Sequence, residues 1–160
     1  MEDLLNKEPV KRVFNIIKNF DSTLDVQVLD TSARTAKDAA SSLKTEVGSI
    51  VKSLLLRTKN SFLLCLVAGD KRCSLNKIKK ILNQKDVSMA NADQVKEITG
   101  FTIGGVSPVG HLKPIKIFID ISLSRFGNIF AAAGHPNCIF KINFEDLKKI
   151  TNGEVMDICE

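Results

Sequence analysis

Hydrophobic positions recur along the chain with two different periods, which predict a mixture of strands and helices. Two consecutive segments, residues 47–57 and 62–68, are largely apolar and of strand length. The second has the near-continuous apolar character of a strand that is buried on both faces of a sheet. Further strands are predicted at residues 26–29, 87–89, 115–121, 128–133 and 138–142. The last two flank a Gly-His-Pro-Asn turn and predict a hairpin.

Apolar residues at helical spacing predict four or five helices, the first of which covers residues 3–20. Pro9 is expected to begin or kink that helix. The second helix has its N-cap expected among residues 30–32. It carries a narrow face of small residues, formed by Ala36, Ala39, Ala40 and Leu43. Later helices are predicted at residues 74–83, 92–99 and 143–151. Because short turns join several strands, we predict an α+β fold with a curved, largely antiparallel sheet surrounded by helices.

Composition narrows the class of protein. A chain of 160 residues with 44% hydrophobic residues is expected to form one domain, residues 1–160, with the helix at residues 3–20 as an addition. The net charge of +5 favours an anionic partner such as a nucleic acid. No apolar run approaches the ~20 residues of a membrane span, so no membrane partner is expected. Four cysteines without a Cys-x-x-Cys pair indicate reduced thiols and a cytoplasmic location.

The densest group of chain-bending residues is the loop at residues 100–111, with glycines at 100, 104, 105 and 110 and a proline at 108. Glycine permits a positive φ and close backbone approach, so the loop can present several N–H groups to a ligand. The alternative is a long turn. The loop follows a predicted helix and precedes a strand, which is the reverse of the dinucleotide-binding order. No Gly-x-x-x-x-Gly-Lys-Ser/Thr motif is present, which disfavours an NTPase with a phosphate-binding loop.

Lys52 lies among apolar residues, where burial of its ammonium is costly without an anionic partner. Strand alternation would point it to solvent; the functional alternative is a lysine at a pocket mouth that holds a phosphate or carboxylate.

The two histidines, His111 and His135, each stand alone on a loop, so no metal site is expected. His135 and Cys138 form the one candidate pair for a cysteine nucleophile, and a buried structural role is the alternative for Cys138.

Together, the lysine, the glycine loop and the Gly-His-Pro turn supply a cation, backbone donors and an imidazole. Such a set suits hydrolysis of an ester that lies near a phosphate.

Four segments, in their order and spacing, resemble the YbaK/ProX family of free-standing aminoacyl-tRNA deacylases, which are similar to the editing domain of bacterial prolyl-tRNA synthetase. These segments are IVKSL at 50–54, AGDKR at 68–72, TGFTIGGVSPVGH at 99–111 and AAGHPN at 132–137. The resemblance runs from about residue 31 to 157. It implies a mixed, barrel-like sheet and hydrolysis of the ester between a wrong amino acid and the terminal ribose of tRNA. It also implies that no cofactor, metal or side-chain nucleophile is used.

The resemblance further implies roles for individual residues. Lys52 would position the substrate near the terminal adenosine, the backbone of Gly104 and Gly105 would hold the carbonyl, and His135 would line the amino-acid pocket. The substrate-binding set would be completed by Ser53, Ser107, Pro108 and Gly134.

Ser53 departs from the alanine-clearing branch, which often has Asn after the lysine, and the Gly-His-Pro turn departs from the cysteine-clearing branch. The pattern resembles the broader members that clear small or hydroxylated amino acids, so Ala, Ser, Thr or Cys is the expected cargo. The expected partners are mischarged tRNA and an aminoacyl-tRNA synthetase, with the chain monomeric or weakly dimeric. Two alternatives stay open: a non-catalytic tRNA- or synthetase-binding module of the same fold, and a Cys138-dependent small-molecule hydrolase.

Overall fold

The computed structural model describes residues 3–30 and 35–160. Its helices are α1 (Glu8–Phe20), α2 (Ala36–Leu43), α3 (Leu75–Leu82), α4 (Ala92–Thr99) and α5 (Phe144–Thr151). Its strands are β1 (Val26–Val28), β2 (Val51–Arg57), β3 (Phe62–Ala68), β4 (Ser88–Met89), β5 (Lys116–Asp120), β6 (Ile129–Ala132), β7 (Cys138–Ile142) and β8 (Glu154–Met156). None of these helices has the length and apolar character that a membrane crossing requires.

The strands form two sheets, one ordered β1-β7-β6 and the other β4-β2-β3-β5-β8. The β3–β5 and β5–β8 pairs are parallel and the other pairs are antiparallel. The predicted α+β class with a largely antiparallel sheet is therefore confirmed. A parallel bridge between Ile50 and Phe130 connects the sheets. Within the described residues the sheets do not close into a barrel, so "barrel-like" describes the curvature only loosely.

Strand β3 lies at the centre of the molecule and is buried on both faces, as its apolar sequence predicts. Leu64 and Leu66 face the main core, while Cys65 and Val67 face a second cluster beneath α3. Side chains alternate between the two faces of a strand, so a strand buried on both faces must be apolar at nearly every position.

One local prediction was wrong, and one strand was not predicted. Helix α2 takes Thr35 as its N-cap, with Thr35 Oγ1 accepting the N–H of Asp38 at 3.1 Å, rather than a residue among 30–32. Of those, Thr31 and Ser32 lie outside the described residues. Strand β8 was not predicted, because its three residues show no alternation and it forms only by pairing with β5.

Helix α1 supports both glycine-containing loops. Arg12 Nε donates to the carbonyl of Gly110 at 2.6 Å, and its guanidinium lies 4.8 Å from the ring centroid of Phe101. At the other loop, a Cβ added to Gly134 would lie 2.8 Å from the carbonyl carbon and oxygen of Pro9. The N-terminal helix therefore packs against the loop at 100–111 and against the Gly-His-Pro turn.

Replacing Arg12 by Ala is expected to lower the free energy of unfolding by about 1.5–3 kcal/mol, because a charged hydrogen bond and a cation–π contact are lost together. Urea denaturation followed by circular dichroism measures the change. Lys11→Ala, at an exposed position of the same helix, is the control and should change stability by less than about 0.5 kcal/mol. Equal stability of the two variants would contradict the supporting role of Arg12.

Candidate active site

A cleft of about 210 Å³ opens along the N-terminal half of β2. Strand β2 pairs with β3 over its whole length, but with β4 only at Leu56 and Arg57. Its N-terminal half therefore has one open edge. The cleft at this edge is bordered by the start of α2, the glycine loop, Ala132 of β6 and Ile139 of β7. A larger depression of about 650 Å³ between residues 21–27 and 141–146 contains none of the predicted site residues.

Ser53 presents its polar groups to this cleft. The carbonyl of Leu55 accepts the N–H of Ala90 at 3.0 Å, so the main-chain polar groups of Leu55 point away from β3. Alternation along an antiparallel strand places the N–H and C=O of Ser53 on the same side, along the open edge. Ser53 Oγ is buried and has no hydrogen-bond partner among the described residues. Ser53 thus offers a main-chain N–H donor, a main-chain carbonyl acceptor and a side-chain hydroxyl.

Lys52 lines the same cleft and is half-buried. Its Nζ donates to the carbonyl of Lys71 at 2.5 Å. In residues 3–30 and 35–160 no carboxylate forms an ion pair with it. An ammonium has three N–H donors, so two remain for a ligand. The side chain is held at the rim by a neutral carbonyl, which leaves its positive charge uncompensated.

The glycine loop offers candidate backbone donors, and of the two glycines expected from the sequence only Gly104 has an available N–H. Gly104 lines the cleft with a φ of +95°, while the Gly105 N–H donates to the carbonyl of Thr102 at 3.0 Å and is used within the loop. Gly104 and Val106 are both residues of the cleft wall, and their N–H groups have no hydrogen-bond partner in the part of the chain that is described. These two groups are the candidate donors to a substrate carbonyl.

The Gly-His-Pro turn packs directly behind the glycine loop. A Cβ added to Gly105 would lie 2.9 Å from the Cα of His135 and 3.1 Å from the carbonyl carbon of Gly134. His135 Nδ1 accepts the N–H of Asn137 at 3.0 Å, which assigns an unprotonated Nδ1. His135 does not border the cleft itself. The structure brings His135 and Gly134 next to Gly105. They support the glycine loop and are not part of the cleft wall.

Ser107 and Pro108 shape the loop rather than the cleft wall. The fully buried Ser107 accepts the N–H of Val109 through its hydroxyl at 3.1 Å. Its carbonyl lies 2.7 Å from Nε2 of His111. Burial is the main cause that lowers the pKa of His111, which suits a neutral ring held inside the loop. Pro108 borders a separate depression beside His111.

Most residues of the cleft wall were not among the predicted site residues. Ala36 and Ala39 of α2 form one wall, and Ile103 and Val106 of the loop form part of another. The sequence carries a signal for the first pair, because the small-residue face of α2 allows close packing. Ala36 also packs closely against Gly69, because a Cβ added to Gly69 would lie 2.8 Å from the Cβ of Ala36.

Cys138 lies outside the cleft wall, in the interior of the three-stranded sheet. Burial raises the pKa of its thiol to about 11. Because the thiolate is the nucleophilic form, this environment favours the structural interpretation of Cys138.

The model of the aminoacyl-tRNA editing domain matches residues 30–150. The chain belongs to the aminoacyl-tRNA editing domain family. The matched range contains the cleft, the glycine loop and the Gly-His-Pro turn, and leaves α1 outside.

Relatives of this editing domain include both separate proteins and parts of larger enzymes. The chain is 30% identical over 138 residues to the uncharacterized protein YwhH of Bacillus subtilis, covering 85% of this chain and 87% of that protein. It is 29% identical over 138 residues to the proline–tRNA ligase of Bacillus licheniformis, covering 80% of this chain. It spans only 24% of that ligase.

Solved structures share the fold of this editing domain. One, described as a candidate trans-editing enzyme for prolyl tRNA synthetase, superposes with a TM-score of 0.90 at 35% identity, covering 96% of this chain and 98% of the other. Another, the hypothetical protein APE2540, gives a TM-score of 0.86 at 27% identity, with 93% and 99% covered. These relationships support editing of mischarged tRNA as the activity.

Proposed function

We propose that this protein hydrolyses, in trans, the ester that joins a wrongly attached Ala, Ser, Thr or Cys to the terminal ribose of tRNA. The observation that carries the proposal is the cleft at the open edge of β2, which is lined by Lys52, Ser53, Gly104 and Val106. The Ser53 hydroxyl and the N–H groups of Gly104 and Val106 have no hydrogen-bond partner among the described residues. Membership of the editing family and the likeness to a candidate trans-editing enzyme support the reaction class.

The size of the cleft supports a small amino acid. Its volume of about 210 Å³ is below the roughly 300–1,000 Å³ of sites for drug-sized ligands. Small side chains border it, including Ala36, Ala39 and Ala132. The buried Ser53 hydroxyl gives the cleft one polar point that can bond to a hydroxyl or amino group of the substrate.

In this proposal the chemistry relies on positioning and backbone donors. Lys52 holds the phosphate or ribose of the terminal nucleotide through its two remaining N–H donors. The N–H groups of Gly104 and Val106 stabilise the negative charge that develops on the carbonyl oxygen when water attacks. The ester C–O bond then breaks and the ribose oxygen takes up a proton. The turn at Gly134 and His135 keeps the loop donors at the cleft.

In this proposal, Lys71 and the basic residues that follow it along the chain provide a path for the acceptor stem of tRNA. The carbonyl that holds Lys52 belongs to Lys71, at the turn that leads into α3. Lys71, Lys79, Lys80 and Lys85 form no ion pair within the described residues, so their charges are available to phosphates. Binding through them should weaken as salt rises.

The decisive test is deacylation of a panel of tRNAs charged with Ala, Ser, Thr, Cys or Pro. Loss of one or two of the small amino acids, with Pro-tRNA left intact, is the expected result. Binding of tRNA without hydrolysis of any ester would overturn the proposal in favour of a binding module.

Ser53→Ala separates stability from substrate binding. Since the Ser53 hydroxyl is buried without a partner among the described residues, its removal should leave the free energy of unfolding unchanged or raise it by about 1 kcal/mol. The KM for the preferred aminoacyl-tRNA should rise about ten-fold, because one hydrogen bond to the substrate is lost. Steady-state kinetics and urea denaturation measure the two effects. A fall in stability with an unchanged KM would contradict this role.

A further inference from the structure

Three of the four cysteines lie together on the α3 side of the five-stranded sheet. Cys65 is in the middle of β3, Cys73 is in the turn before α3, and Cys159 follows β8 near the end of the chain. All three pack in the apolar cluster that includes Ile78 of α3. The proposed editing chemistry uses none of them.

Cys73 and Cys159 face each other across an isolated antiparallel bridge. The pair is flanked by two backbone hydrogen bonds, from the Ser74 N–H to the Ile158 carbonyl at 2.7 Å and from the Glu160 N–H to the Arg72 carbonyl at 2.9 Å. This arrangement is a non-hydrogen-bonded pair, in which the Cα atoms are about 4.5 Å apart and the side chains are close. Disulfides join Cα atoms that are about 4.4–6.8 Å apart. The backbone therefore already has a separation that a disulfide can span.

The two thiols differ in reactivity. A hydrogen bond from Cys65 is the largest cause that lowers the pKa of Cys73, and the Lys52 ammonium acts in the same direction against burial and the charge of Asp120. Burial and Asp120 raise the pKa of Cys159 to about 12. Cys73 is half-buried, whereas Cys159 is buried. Cys73 is thus the more accessible thiol for an oxidant, and Cys159 is its buried partner.

We propose that Cys73 and Cys159 form a reversible oxidation site that takes a peroxide as oxidant. The Cys73 thiolate attacks the O–O bond, becomes a sulfenic acid and releases hydroxide or an alkoxide. The Cys159 sulfur then attacks the sulfenic sulfur; the S–S bond forms, the S–O bond breaks, and the thiol proton leaves with the oxygen as water. Two thiols lose two electrons and one peroxide is reduced. A dithiol reductant restores both thiols.

The location of the pair connects it to the editing cleft. Cys73 lies two residues after Lys71, whose carbonyl holds the Lys52 ammonium. Further oxidation of Cys73 to a sulfinate would place a permanent negative charge near Lys52. Formation of the disulfide prevents this further oxidation of Cys73. Cys159 therefore protects the hydrogen bond between the Lys52 ammonium and the Lys71 carbonyl. This consequence for activity, unlike the disulfide itself, rests on the proposed function.

The test treats the reduced protein with hydrogen peroxide, alkylates the remaining thiols and analyses proteolytic peptides by mass spectrometry. We expect a crosslinked peptide pair containing Cys73 and Cys159, loss of about two of the four thiols, and complete reversal by dithiothreitol. Cys138, buried in the other sheet, should be alkylated only after unfolding and serves as the internal control. Absence of the crosslink, or a dominant link from Cys73 to Cys65, would overturn the proposal.

Two variants sharpen the test. Cys159→Ser should accumulate sulfinic acid at Cys73 under peroxide, whereas Cys65→Ala should still form the crosslink. Thermal unfolding of each reduced variant shows whether it has folded, and the wild-type crosslink decides the proposal if either has not. Deacylation is measured separately: its absence in the untreated protein argues against the proposed function, while a missing crosslink argues only against the oxidation site.

Discussion

Replacing Lys52 by Ala is expected to lower kcat/KM for deacylation about a hundred-fold or more, the range seen when one stabilising group is removed from an active site. Lys52 has one N–H bound to the Lys71 carbonyl and no carboxylate partner among the described residues, so in the proposed reaction its charge is available to the terminal nucleotide. Single-turnover deacylation of the preferred substrate from the panel measures the effect.

Lys71→Ala is the matched control for Lys52. It removes a neighbouring positive charge but keeps the main-chain carbonyl that holds the Lys52 ammonium. We expect a change of less than about five-fold at low salt, through weaker electrostatic attraction alone. If Lys52→Ala and Lys71→Ala were equally active, Lys52 would be only one member of a basic surface.

Gly105→Ala is expected to abolish most activity and to lower the free energy of unfolding by about 1–3 kcal/mol, the usual cost of overpacking. The new Cβ would lie 2.9 and 3.0 Å from the Cα and nitrogen of His135. These are backbone atoms and cannot rotate away, so the loop and the turn must separate. That separation would move the N–H groups of Gly104 and Val106 from the cleft, and displacements of this kind can cost about a hundred-fold in rate.

Gly127→Ala provides the comparison, because a Cβ at Gly127 would meet nothing within 4 Å. Both variants add one methyl group, and only one of them adds it between the two loops. Calorimetric unfolding and the deacylation assay should therefore distinguish them clearly. Wild-type behaviour of Gly105→Ala would mean that the contact between the loops does not position the donors.

The elements that could be predicted are those whose own residues carry the full signal for the helix or strand. Helix α4 has the predicted bounds, because a capping box of Asn91 and Gln94 begins it and Gly100, at a φ of +78°, ends it. Strand β3 is apolar at every position and could be placed from that pattern alone. Strand β8 could not be predicted, because its pairing with β5 joins residues far apart in the chain.

Part of the cleft lining was predictable from the sequence, but the hydrogen bonds around the cleft were not. Lys52, Ser53 and Gly104 do border one cleft. The open edge of β2 depends on how short β4 is, which no local pattern in β2 encodes. In the same way, the Gly105 N–H is used within the loop because of a turn that begins at Thr102. Glycine content indicates where a backbone can bend, not which of its donors stay available.

The contacts of α1 have a consequence for the dynamics of the cleft. The family match begins at residue 30, yet Arg12 and Pro9 hold the two loops from outside that range. The glycine loop cannot open far without breaking the hydrogen bond from Arg12 to Gly110, so the loop and the helix open as one cooperative unit. Sequence changes in this N-terminal helix can therefore alter how often the donors of the cleft are in place, without any change in the residues that define the family.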